Sequence, residues 1–125
     1  MNKAKAIHQF WSSFNWTAID EQSAYDEAMD LPDKYIAYEL QTANLGDSVA
    51  LTASLWHRST SWEEITEKAD EIAESIGYGG KVIPITGGYL WIKLGQPFAQ
   101  RMSDENKADF RRIYLTIMVD FLSAT

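Results

Sequence analysis

The sequence predicts an α+β fold: a mainly antiparallel sheet of four or five strands with two helices packed on one face. Two stretches, around residues 3–15 and 62–76, repeat apolar side chains every three or four residues, the period of a helix lying on a core. Other stretches alternate apolar and polar residues, the period of a half-buried strand. The elements run helix, strand, strand, helix, optional short strand, strand, strand, which builds one layer of strands under two helices. With 125 residues, 46% of them hydrophobic, the chain fits a single domain over residues 1–125.

Ala4, Ile7, Trp11 and Phe14 define the apolar side of the first helix. An acidic stretch follows, with Asp20, Glu21, Asp26, Glu27, Asp30 and Asp33, and Pro32 discourages helix there. Residues 35–41 alternate as a strand with Ile36, Tyr38 and Leu40 on one side. After TANLGDS, whose Gly46 suits an irregular reversal, residues 49–56 resume the alternation with Val49, Leu51, Ala53 and Leu55 on one face. The pair reads as an antiparallel hairpin.

Thr60 or Ser61 suits the start of the second helix, with Glu63 or Glu64 at the capping-box position. Trp62, Ile65, Ala69, Ile72 and Ile76 form its stripe, and Gly77 ends it. A short edge strand is expected around residues 81–85 and another strand over 89–94. In the last strand Ile113, Leu115, Ile117, Val119 and Phe121 share one parity; Arg112, Tyr114, Thr116, Met118 and Asp120 share the other.

The charge and cysteine count exclude several functions. Eighteen acidic groups against eleven Lys and Arg give a net charge of -7, which disfavours general attraction to nucleic acid or to an anionic bilayer. Neither specific nucleic-acid binding nor a membrane partner is therefore expected. Zero cysteine excludes disulfides, thiolate metal sites and cysteine nucleophiles. The amino end lacks a signal-peptide pattern, so an intracellular soluble protein is expected. The charge is uneven: residues 93–125 carry five basic and four acidic groups, whereas residues 1–33 carry two basic and six acidic ones.

No residue pattern requires catalysis, metal or cofactor. His8 and His57 lack a third ligand at zinc spacing, and the hydroxyls of His57-Arg58-Ser59-Thr60-Ser61 read more simply as helix caps than as nucleophiles. The acidic stretch lacks an ordered calcium loop. A small hydrolase using His57 and a carboxylate is the minor alternative. Arg101, Lys107, Arg111 and Arg112, in the least acidic region, are candidates for a protein interface. Tyr35, Tyr89, Trp91, Tyr114 and Met118 occupy the polar parities of strands, where large side chains suit a binding surface; Tyr89, Trp91 and Tyr114 join the interface candidates.

The segments LPDKYIAYEL, GDSVALTASLWHRSTSWEEITEKADEIAESI and PFAQRMSDENKADFRRIYLTIMVDFL together resemble the tail terminator, or tail-completion, proteins of long-tailed bacteriophages and prophages. The resemblance implies a non-enzymatic α+β subunit that assembles as a ring, usually hexameric, at the head-facing end of the tail tube. Its implied partners are further copies of itself, the tail tube protein and the head-tail connector protein. Its implied location is the virion tail at the head-tail junction, after assembly in the bacterial cytoplasm. By matching segments, Trp56, Arg58 and the helix from Trp62 would support the subunit, and Arg111 and Arg112 would lie near an intersubunit surface. A head-tail or minor tail subunit without termination activity is the alternative within this class.

Overall fold

Asn2 starts the first helix, α1 (Lys3–Ser12), by accepting the Lys5 amide at 2.8 Å on its side-chain oxygen. The computed structural model that shows this describes residues 2–21, 31–40, 48–102 and 109–123. Ala6, Ile7, Phe10 and Trp11 form the buried side of α1. The helix ends three residues sooner than its apolar period suggests. Ser13 Oγ donates to the Phe10 carbonyl at 2.6 Å, and Asn15 has a left-handed backbone, φ 66°, that turns the chain away. Phe14 is still buried, so the period identified the core side correctly.

The described residues include six strands: β1 (Thr17–Asp20), β2 (Lys34–Tyr38), β3 (Val49–Arg58), β4 (Lys81–Ile85), β5 (Gly88–Met102) and β6 (Phe110–Ser123). They form one sheet in the order β1-β2-β3-β6-β5-β4. All neighbours are antiparallel except β1 and β2, which run parallel. The α+β class, the mainly antiparallel sheet and the two packed helices agree with the sequence. The strand number does not: β1 lies between the expected first helix and the acidic stretch, meeting the latter only at Asp20, and brings the strands among the described residues to six. The reversal expected around Gly46 and the acids Asp26, Glu27 and Asp30 lie outside the described residues.

Strand β5 is much longer than the expected 89–94. Leu94 pairs with Ile117 and Ala99 with Leu115, so the bulge between them sets Gly95 to Phe98 against Thr116. Gly95 permits the close approach, since a Cβ there would stand 2.6 Å from the Thr116 carbonyl oxygen. Beyond the bulge the alternation resumes with the opposite parity, so that Ala99 and Arg101 face the side that Leu90, Ile92 and Leu94 face before it.

The second helix, α2 (Glu63–Ile76), buries Ile65, Ala69, Ile72 and Ile76 and stops at Gly77, φ 72°. Trp62 is its N-cap residue and extends the stripe as a half-buried side chain packed against the core. Ser61 supports the start from outside, its Oγ accepting the Glu63 amide at 3.2 Å. Both helices cover the same side of the sheet. On that side Ile36, Leu51, Ala53, Leu55, Leu90, Ile92, Ile113, Leu115, Ile117 and Val119 are buried with the helix stripes in one core.

The helices divide the work. α2 lies on the inner strands β3, β6 and β5, while α1 touches β1 at one edge and β4 at the other. A single helix reaches both edges because the sheet curls around it. Lys81 of β4 stands 5.9 Å from the Phe10 ring, and His8 Nδ1 meets the Tyr38 hydroxyl at 2.8 Å on β2. Lys68 of α2 donates to the Phe14 carbonyl at 2.8 Å, joining the two helical regions.

Candidate functional site

Among the described residues no helix covers the other side of the sheet, and cross-strand register arranges its side chains in rows. Pro84, Tyr89 and Leu122 form one row, and Val82, Trp91 and Asp120 the next. Lys93, Met118 and Ala50 follow; beyond the bulge come Gln100, Tyr114, Ser54 and Ala37, then Met102, Arg112, Trp56 and Tyr35. Arg58 and Phe110 end the array.

Its two ends differ. Around β4 the surface is apolar and open: Val82, Tyr89 and Leu122 are 53%, 44% and 42% exposed. The Gly77–Gly80 turn folds against this corner, where Trp91 Nε1 donates to the Gly79 carbonyl at 2.9 Å, and the turn carries a fully exposed Tyr78. Exposed apolar side chains gathered in this way are typical of an interaction surface.

At the other end aromatic rings and guanidinium groups interleave. Trp56 stacks on Tyr35 with ring centroids 6.3 Å apart and meets Phe110 edge-on. Arg112 lies 5.0 Å from the Trp56 ring and 5.6 Å from the Tyr114 ring, and its Nε donates to Ser54 Oγ at 3.0 Å. Arg58 lies 5.1 Å from the Phe110 ring. Each ring offers its π face to a cation and restricts its motion, so the charges are held in place. Burial raises the Tyr35 pKa above the ordinary phenol value, partly opposed by the nearby Arg112 charge. Between the ends Lys93 donates to Asp120 at 2.6 Å, and Ser48 donates to the same carboxylate; both bonds hold the Asp120 pKa below the usual aspartate value.

The sheet separates the predicted interface residues. Arg112, Tyr114, Tyr89 and Trp91 belong to the helix-free side. Arg111 belongs to the helix side, where it donates to the Thr60 carbonyl at 2.7 Å and stands 5.3 Å from the Trp62 ring. Arg101 shares that environment, 4.8 Å from the same ring and 3.4 Å from Thr66 Oγ1. Lys107 lies outside the described residues. Trp56, Phe110, Val82, Leu122 and Tyr78 complete the surface. The alternation already set Trp56 opposite Leu55, but the other contributors depend on strand ends and turns.

A second cluster lies at the start of α2. His57, Ser59, Ser61, Glu63, Glu64 and Glu67 line an open cleft of about 400 Å³. His57 is 7% exposed, packs 5.9 Å from the Trp16 ring and places Nε2 3.5 Å from Glu64 Oε2. Glu64 also receives a hydrogen bond from Lys34, the main reason its pKa lies below the usual glutamate value. The two serine hydroxyls are used locally: Ser59 Oγ accepts the Ser61 amide and Ser61 Oγ accepts the Glu63 amide. Neither is hydrogen-bonded to the imidazole among the described residues, so the cleft brings together a base and a carboxylate without an aligned nucleophile.

Among the described residues no group of three or more His, Asp and Glu side chains is arranged to hold a metal ion. Among the same residues no helix is long and apolar enough to cross a membrane. No protein-family model matches the chain, and no curated protein matches it at a significant level.

Proposed function

We propose that the chain is a non-enzymatic structural subunit of a long-tailed bacteriophage or prophage, whose copies form a ring that ends the tail tube and joins it to the head connector. The observation that carries this reading is the helix-free sheet face, with exposed Val82, Tyr89 and Leu122 at one end and an Arg112–Trp56–Tyr114 cluster at the other. Trp, Tyr and Arg are the side chains that most often dominate protein interfaces, and a 125-residue unit gains a large working surface through repeated copies. The acidic balance suits a ring through which DNA passes without adhering. Similarity of the three sequence segments to tail-completion proteins supports the biological setting and the usual hexameric count.

Electron microscopy of particles lacking the protein tests the role. Overlong tail tubes without heads are expected. Tails of normal length that fail to attach would favour a joining subunit without termination activity, and fully normal particles would refute both roles.

A further inference from the structure

Building on the self-association reading, we infer that subunits meet head to tail, the helix-free sheet face of one copy receiving the acidic outer stripe of α2 from the next. Glu63, Glu67, Asp70 and Glu74 are exposed and recur at intervals of four, three and four residues, which lines them along one side of α2. The neighbouring cations are directed elsewhere: Lys34 pairs with Glu64, and Lys68 pairs with Glu71. Among the described residues none of the four stripe carboxylates has an ion-pair partner, so each copy carries a row of like charges at repelling distance.

The sheet face supplies the complement. Arg112 is held by Trp56, Tyr114 and Ser54 and meets no carboxylate among the described residues. Arg58 reaches Asp33 only at 3.9 Å, and both of those side chains are largely exposed. Arg58 pairs in register with Phe110, two residues before Arg112 on β6, which spaces the two cations by about 7 Å along the strand. Successive stripe carboxylates are separated by about 4.5–6 Å of helix rise. Two guanidinium groups can therefore meet consecutive acids, while Met102 and the aromatic rings lie alongside to exclude water.

The fold determines the symmetry of this contact. α2 lies on one side of the sheet and Arg112 on the other, so the complementary surfaces of one copy cannot meet each other. A two-fold dimer through the sheet face would leave both acidic stripes, on the opposite side of each sheet, without a partner. The favourable arrangement is heterologous, with each copy using one surface on each neighbour, and it continues until a ring closes. The edges offer less: β1 has four residues, and Pro84 in β4 has no amide proton to donate.

Native mass spectrometry of the full chain distinguishes this arrangement. Arg112→Glu retains its acidic stripe, and Glu67→Lys/Asp70→Lys retains its sheet face; each is expected to remain monomeric alone. Mixed one to one they are expected to assemble again, because the intact stripe of one meets the intact sheet face of the other and the two reversed surfaces are themselves of opposite charge. Arg112→Gln, which avoids the like-charge reversal, is expected to raise the dissociation constant at least tenfold with an unchanged circular dichroism spectrum. Variants that keep the wild-type mass, or a mixture that stays monomeric, overturn the head-to-tail contact and leave self-association standing. A wild-type chain that is monomeric at every concentration overturns both.

Discussion

Arg111 and Arg112 are neighbours in the chain and lie on opposite sides of the sheet. Arg111 ties the junction before α2 to β6, through the Thr60 carbonyl and the Trp62 ring. Arg112 faces outward among Trp56, Tyr114 and Ser54. Removing both together would mix a loss of fold with a loss of association. Arg111→Ala alone is expected to lower unfolding stability by about 1–2 kcal/mol, the combined scale of a charged hydrogen bond and a partly exposed cation–π contact. Urea titration checks it; an unchanged midpoint would remove Arg111 from the structural role.

The turn after α2 contains two adjacent glycines with different tolerances. At Gly80, φ is 86° and a Cβ would collide with the Trp91 indole and stand 2.7 Å from the Ile92 carbonyl oxygen. At Gly79 nothing lies within 4 Å of a Cβ. Gly80→Ala is expected to cost about 2–3 kcal/mol, and Gly79→Ala to stay within about 0.5 kcal/mol of the parent. Thermal unfolding of the two variants in parallel tests the difference.

Asp120 makes stability sensitive to acid. The bonds from Lys93 and Ser48 depress its folded pKa, so its contribution is complete above the unfolded aspartate value and is lost as pH falls through the folded one. The decline begins near pH 4, about the ordinary aspartate value. Lys93→Met is expected to flatten that part of the stability profile, measured by urea unfolding from neutral pH downward. A parallel profile in the variant would assign the acid sensitivity elsewhere.

Phe10 lies in the last turn of α1, 3% exposed, with Trp11 and Phe14 packed edge-on against it. Phe10→Ala is expected to cost about 3–5 kcal/mol. The loss should also have a pattern. Because α1 touches both β1 and β4, hydrogen exchange is expected to quicken at the two edges together while β3 and β6 stay protected. Faster exchange at one edge only would show that the helix does not couple them.

Local periodicity was sufficient for the elements whose partners repeat regularly. Ile65, Ala69, Ile72 and Ile76 identify α2, and the parity of residues 113–121 identifies both sides of β6. β1 was hidden because Thr17–Asp20 is four residues long and pairs in parallel with a strand beyond Pro32, a nonlocal contact without a local pattern. In β5, Gly95 and Pro97 interrupt an alternation that a bulge then restores at Ala99. Trp62 has the right spacing for the stripe and packs half-buried on the core, but that it also lies under Arg101 and Arg111 depends on how β5 and β6 pass the start of the helix.

The interaction surface was partly legible for the same reason. Parity assigns Tyr114, Tyr89 and Trp91 to the polar side of their strands, but a cation near a strand entrance can turn either way, and Arg101 and Arg112 turn oppositely. The proximity of His57 to Glu64 depends on how β3 approaches the first turn of α2, a three-dimensional relation without a sequence period.

The position of α1 between the two sheet edges also has a consequence for synthesis. Its residues leave the ribosome before β4 exists, and β4 reaches the sheet only through β5, which pairs with β6 near the other end of the chain. The earliest helix must therefore wait for the latest strands before its apolar side is fully covered. A nascent chain halted before β6 would expose Phe10 and Trp11 to chaperones, and release of the last strand would complete their burial in a single step.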